Sequence, residues 1–473
     1  MKTPHPPNVF QALIPIVFMM ASIIICTVLW DIEPHIPIVA SCVVAACVAA
    51  WCGFTWKDII SGMLDSIARA TEALLIIMIV GMLIGSWVMC GTMPAMVYYG
   101  LAIIKPQAFL AIGVTLVFIV GLATGSSWTA SGTVGVALMG IATGLGIYEP
   151  LAAGMVISGA YMGDKWSPLS DSTNIAAATA ETPLYSHVRA MMVTTFPTFI
   201  IAFILYAIVG VKTGGGSYDP HMVKEIQEAI FNEFYISWWI ICPTLVVIFA
   251  AVKKIPAIPS LLAAAGFGAL ISLFVQHRSI ADVIMSFHYG YETETGIYIV
   301  DKLLNRGGVD SMMWTISLIL FALSFGGILD KCGFIQTLLG GLVAKIKSNA
   351  ALVAATMVTG IICDFVLTDQ YLSIIVPGRM YMKAYDDRNL DRSFLSRTLE
   401  DAGTLWSPMV PWNGCGAYQA ATLGVPTFRY FPFAFVNLLN PFVAVLLTSL
   451  GIGVRHKDES DYKGFFSIFK KKK

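Results

Sequence analysis

The chain has 473 residues, of which 57% are hydrophobic and only 12% charged, about half the roughly 25% charged share usual in soluble proteins. A mean hydropathy of +0.76 excludes a water-soluble enzyme of this length, and 29 basic residues balance 29 acidic ones, leaving no basic excess to bind nucleic acid. What remains is an all-α, polytopic membrane protein that needs no cofactor.

In chain order, the first apolar run covers residues 10–30. It is too long for a signal-peptide core and lacks a small-residue cleavage site, so it is read as a retained helix. Apolar runs follow at 36–53, 72–91, 108–123, 131–147, 150–163, 176–187 and 190–211. After a polar stretch they resume at 235–252, 256–275, 312–330, 350–366, 369–385, 394–404, 417–427 and 430–452. Several fall short of the roughly 20 residues that a full span requires, and short interrupted pieces in matching places mark a transporter's binding site. The nine cysteines form no C-x-x-C pair, and neither an H-E-x-x-H nor a Walker A motif is present, so zinc chemistry and an ATP-driven pump have no support.

Basic residues cluster at Lys253-Lys254, at Lys345 and Lys347, between Arg379 and Arg397, and in the tail that ends in Lys470 to Lys473. The positive-inside rule puts these in the cytoplasm. Glu400 lies at a segment end, where a solvated face accounts for it, and Arg388, Arg392 and Arg397 read as the cytoplasmic edge. Trp30, Trp51, Trp56, Trp238, Trp239 and Tyr430 read as interfacial belts. Residues 212–234 carry an acidic surplus and are placed outside. The expected organisation is a repeat at 1–211, an extracytoplasmic linker at 212–234, a second repeat at 235–455 and a basic cytoplasmic tail at 456–473, with both termini inside.

The halves resemble each other. Trp166-Ser167-Pro168 recurs as Trp406-Ser407-Pro408, an offset of 240, and Gly163 matches Gly403. Cys90-Gly91 matches Cys332-Gly333, and Asp58 in K-D-I-I-S matches Asp282 in A-D-V-I-M-S. An odd number of crossings per half makes the repeats inverted, which places a site at the bilayer midplane between them.

Four polar segments fall where lipid would forbid them. Thr124, Ser126, Ser127 and Thr129 lie between two apolar arms and suit the tip of a re-entrant hairpin. The segment from Gly163 to Asn174 interrupts a span; Pro168 breaks the helix and the residues after it favour a new helix start. At offset 240, Asp364 lies opposite Thr124 and Asp369 opposite Thr129, so the second tip falls at Asp364–Gln370. Asp171 lies opposite Pro411, and Asn413 opposite Thr173, in the second break.

A carboxylate held away from water keeps a proton until a cation supplies the balancing charge. A break also frees carbonyl oxygens for a hard cation. Asp164, Asp171, Asp364 and Asp369 are therefore the expected ion-binding acids. Ser170, Thr173, Asn174, Thr368 and Asn413 are the neutral ligands, and Lys165 is a modulating charge that pairs with an acid. No metal beyond the transported Na⁺ is expected. A passive channel and a non-transporting scaffold are the readings from other classes; the buried acids disfavour the scaffold.

Gly163-Asp164-Lys165-Trp166-Ser167-Pro168-Leu169-Ser170-Asp171-Ser172-Thr173-Asn174 resembles the G-D-K-x-S-P-L-S-D-T-T-N pattern of the NhaC family of bacterial sodium/proton antiporters, with Ser172 replacing a Thr. Glu181 to Arg189 is similar to the family's continuation. The resemblance implies a multi-pass, secondary antiporter of the cytoplasmic membrane, with Na⁺ and H⁺ as its ions and a homodimer allowed. The family also includes sodium-coupled exchangers of small organic anions such as malate and lactate, which is the alternative.

Overall fold

The computed structural model describes residues 4–30, 32–213, 220–253, 255–339, 346 and 348–457. The basic tail beyond residue 457, Lys254, Lys345 and Lys347 lie outside the described residues. Regular structure among those residues is helical: α1 (Val9–Ile24), α2 (His35–Trp51), α3 (Trp56–Met89), α4 (Thr92–Ile103), α5 (Pro106–Thr124), α6 (Ser127–Ala130), α7 (Val136–Gly144), α8 (Glu149–Trp166), α9 (Asp171–Thr179), α10 (Leu184–Thr213) and α11 (Pro220–Glu233). After the linker come α12 (Cys242–Val252), α13 (Ala257–Phe274), α14 (Ile280–Tyr289), α15 (Tyr298–Leu304), α16 (Asp310–Lys331), α17 (Phe334–Leu339), α18 (Asn349–Val366), α19 (Gln370–Asp386), α20 (Arg392–Trp406), α21 (Gly414–Leu423), α22 (Thr427–Tyr430) and α23 (Phe435–Ser449). Six of these are long and apolar enough to cross a membrane, or up to eight crossings if each of two bent pairs is one span.

The sequence matches between the halves have local causes. Thr55 and Asp58 form a capping box at the start of α3, and Ser279 and Asp282 form the same box at the start of α14. Cys90 and Cys332 each close a helix, and the glycines after them, Gly91 and Gly333, take positive φ, a common helix stop. The two helices that end this way, α3 and α16, pack antiparallel: Gly62 meets Gly327, and Gly81 meets Gly308 and Met312. Antiparallel packing of equivalent helices is consistent with inverted halves.

Both expected hairpins form. In the first half α5 and α8 run parallel, with Gly113 against Met155 and Gly121 against Ala160 and Gly163. The chain between them must therefore turn back, and α6 and α7, joined by one π turn (Ser131–Gly135), are the return arm. A Cβ on Gly163 would lie 2.3 Å from the Phe118 carbonyl oxygen, so only glycine lets α8 approach α5 this closely. In the second half α18 and α19 are antiparallel. Thr356 reaches Tyr385 (3.3 Å) and Thr359 reaches Tyr381 (2.9 Å).

The structure moves several boundaries. Helix α3 starts at Trp56 rather than 72, because charges that looked non-membranous pair with α16: Asp65 with Lys331 (3.3 Å) and Arg69 with Asp330 (3.7 Å). The polar stretch contains the amphipathic helix α11, which buries Val223, Ile226 and Ile230. Tyr430 is fully buried and donates to the Pro408 carbonyl (2.5 Å), so it is not part of an interfacial belt.

Candidate functional site

The two tips have the same construction. Gly125 ends the first arm at φ 65°, and Ser126 caps the return helix by accepting the Thr129 N–H. Thr368 ends the second arm at φ 59°, and Asp369 caps α19 by accepting the Leu372 N–H at 2.8 Å. The tips therefore register at an offset of 243 (369 minus 126), three residues from the 240 expected. Asp369 stands opposite Ser126, not Thr129, and Asp364 opposite Gly121, not Thr124.

The breaks follow the same logic. Ser170 caps α9, and Asn413 caps α21 by accepting the Cys415 N–H at 3.0 Å. The caps align Asn413 with Ser170 rather than Thr173. From tip to Trp-Ser-Pro the second half is three residues shorter (Asp369 to Trp406 against Ser126 to Trp166), so the triplets keep the offset of 240, and its break is three residues longer, which restores 243 at the caps. Pro168 and Pro408 each follow a helix end, where a missing N–H costs nothing.

Each tip meets the break of its own half. Ser127 and Ser170 face the Asp164 carboxylate, and the Gly414 N–H donates to the Thr368 carbonyl (3.2 Å). Asn413 Nδ2 donates to Asp364 Oδ1 (3.2 Å), and Trp412 Nε1 to the Phe365 carbonyl (2.8 Å). The halves also touch each other. Trp128 of the first tip stacks on Tyr418 of α21 with ring centroids 4.3 Å apart, and the Tyr418 hydroxyl donates to the Trp128 carbonyl (2.8 Å).

These pieces line one partly open cavity of about 130 Å³, walled otherwise by α3 and α16. Of the expected ligands it brings together Asp164, Asp171, Asp369, Ser170, Thr368 and Asn413, with the tip residues Ser126 and Ser127. Asp164 is 5% exposed and its Oδ1 has no hydrogen-bond partner in the protein. Asp171, the first residue of α9, is exposed. Among the described residues no three His, Cys, Asp or Glu side chains converge as a metal site. The wall presents carboxylate, hydroxyl and amide groups.

The other expected residues lie off the cavity wall. Asp364 is one shell behind, fully buried on Asn413. Thr173 donates towards the Lys165 carbonyl (3.5 Å), and exposed Asn174 donates to the Ser170 carbonyl (2.8 Å). Thr124 donates to the Val120 carbonyl (2.9 Å), and Thr129 is buried away from the lining. Thr173, Asn174 and Thr124 thus bond local backbone carbonyls.

Lys165 does not pair with a cavity acid. Its Nζ lies 2.7 Å from Asp401, and both side chains are fully buried. Asp401 also accepts from Thr194 (3.1 Å) and Asn440 (2.8 Å). Glu400 and Arg397 are buried too, at 0% and 1% exposure, so they belong neither to a solvated face nor to a cytoplasmic edge. Sequence reading missed Arg69, Glu72, Gln370, Tyr371 and Cys415 in the cavity wall. The signal available for Gln370 was its place directly after Asp369; its Oε1 accepts from Ser407 (3.2 Å) and Cys415 Sγ (2.9 Å).

Two hairpin tips and two broken helices that close on one cavity define a polytopic helical membrane transporter. The chain belongs to the Na⁺/H⁺ antiporter family, whose sequence model matches residues 159–452. It is 40% identical over 437 residues to the Na⁺/H⁺ antiporter NhaC of Alkalihalophilus pseudofirmus, covering 92% of this chain and 94% of that one. It is 37% identical over 432 residues to NhaC of Bacillus subtilis, covering 91% and 95%. The malate-2H⁺/Na⁺-lactate antiporter of Bacillus subtilis is 34% identical over 446 residues, covering 94% and 95%.

Proposed function

We propose that the chain is a secondary active antiporter that exchanges Na⁺ for H⁺ across a bacterial cytoplasmic membrane, with Asp164, Asp171 and Asp369 as its cation and proton site. The observation that carries this reading is the cavity that gathers carboxylates from both halves beside hydroxyl and amide oxygens. The antiporters named above, similar over nine-tenths of the chain, support it.

Carboxylates drawn away from water need a compensating positive charge, and either a proton or Na⁺ supplies it. One occupant excludes the other, so a protein that changes face only when the site is occupied exchanges the two. The halves at 1–211 and 235–455, joined by an extracytoplasmic linker, rock about that site, and both termini lie in the cytoplasm.

A second reading, a sodium-coupled organic-anion exchanger, is favoured by one observation. The N-terminal ends of α9 and α21 and the Arg69 side chain lie in the cavity wall, where an anionic group could meet them. Everted vesicles test the first reading: Asp164→Asn and Asp369→Asn abolish Na⁺-dependent proton movement while protein levels in the membrane stay normal. Full exchange by both variants sinks it. Sodium-driven proton movement that appears only when malate or lactate is added supports the second.

A further inference from the structure

Of the residues that line the cavity, three are exposed: Arg69 and Glu72 of α3 and Asp171 of α9. They form its mouth. Ala73, Ile76 and Ile77 of α3 also line the wall, which puts them on one helix face with Arg69 and Glu72. From Ala73 to Met89, where α3 ends, no residue is charged. Glu72 is therefore the last charge on α3 before the helix runs among apolar neighbours, and it stands where the cavity meets water.

The nearest charges before it on α3 are matched. Asp65 pairs with Lys331 (3.3 Å) and Arg69 with Asp330 (3.7 Å), both on α16. Glu72 has neither an ion pair nor a hydrogen bond among the described residues. What it faces is another acid: Asp171 lies close enough for the two carboxylates to repel. Asp330 is not part of the wall, so it offsets Arg69 from outside the cavity. The mouth is left with two unmatched negative charges. Like charges held near each other are unfavourable, and a cation between them relieves the repulsion.

The interior of the same cavity also calls for positive charge. Asp164 is 5% exposed, and its Oδ1 has no hydrogen-bond partner in the protein. The wall further includes Leu74, Ile77, Ile319 and Leu323, all buried. Apolar walls of low dielectric focus the field of a charged mouth along a cleft and raise the local concentration of ions of the opposite sign. We infer that Glu72 is a specificity-determining residue: with Asp171 it gives the mouth a negative charge that concentrates Na⁺ ahead of Asp164 and turns organic anions away.

The inference rests on the antiport reading, of which it names the group that selects the sign of the entering ion. Two measurements on the full-length protein test it: isotopic Na⁺ binding in detergent, and Na⁺-driven proton movement in proteoliposomes. Each is made at low and at high ionic strength, set with N-methylglucamine chloride. Glu72→Gln raises the half-saturating Na⁺ concentration about three- to tenfold in both, while the maximal rate of proton movement falls far less. Added salt screens the mouth, so it weakens Na⁺ binding in the wild type and weakens it less in Glu72→Gln. Glu72→Lys raises half-saturation further, and Glu72→Asp recovers most of the affinity and its salt dependence. Wild-type half-saturation in both Glu72→Gln and Glu72→Lys overturns the inference. So does a fall in maximal rate with half-saturation unchanged. Wild-type protein that binds Na⁺ but moves no protons in response defeats the antiport reading alone, and the binding series still decides the role of Glu72. Wild-type protein that binds no Na⁺ overturns both.

Discussion

Removing the ammonium of Lys165 leaves Asp401 fully buried with two neutral donors and Arg397 at 3.9 Å. Breaking a buried pair from one side costs about 3–5 kcal/mol, and Arg397 places Lys165→Ala at the lower end of that range. Thermal unfolding in detergent measures it, and the double variant Lys165→Met with Asp401→Leu restores most of the loss. A single variant as stable as wild type contradicts the pairing. The local sequence could not give this contact: its partners are 236 positions apart. Glu400, Asp401 and Arg397 stand within five residues of a helix with strong charge periodicity, which reads as a water-facing surface. The burial of Asp401 and Glu400 goes with Lys165 and His187, which other helices supply. Asp164, Asp171 and Ser170 were legible because polar residues and Pro168 interrupt an apolar run, an arrangement that lipid does not tolerate without a purpose.

The elements around the cavity depend on close approach and on one stacked contact. Gly163→Ala drives a methyl against the Phe118 carbonyl, 2.3 Å from the added carbon. Overpacking of this kind costs about 1–3 kcal/mol and moves the Asp164 end of α8 away from the first tip. The expected outcome is lower thermal stability together with weaker Na⁺ affinity; a variant with wild-type affinity contradicts the seam's role in placing Asp164. Trp128→Ala removes the stack on Tyr418, worth about 0.5–1.5 kcal/mol beyond its buried area. Trp128→Phe keeps most of it, and detergent unfolding curves separate the two. The hairpins were readable as apolar arms around polar tips, but their register was not. Only the positive-φ residues Gly125 and Thr368 and the caps that follow them fix the offset at 243. A three-residue shortening of the second half between its tip and Trp406 hides this from a comparison anchored on Trp-Ser-Pro.

For the molecule as a whole, the antiparallel packing of α3 on α16 and the stacking of Trp128 on Tyr418 tie the halves to one cavity. The general architecture was legible from hydropathy and repeated motifs. The length of α3 was not, because its first four turns carry charges that find partners only on α16. The central claim is that Asp164 from one half and Asp369 from the other share a single occupant, which is either Na⁺ or a proton. The most direct test is isotopic Na⁺ binding to the purified protein as a function of pH. One proton competing with one Na⁺ weakens apparent Na⁺ affinity about tenfold per pH unit in the acidic range, and Asp164→Asn and Asp369→Asn each remove most of the binding. Na⁺ affinity that is independent of pH, or that survives both substitutions, contradicts the account.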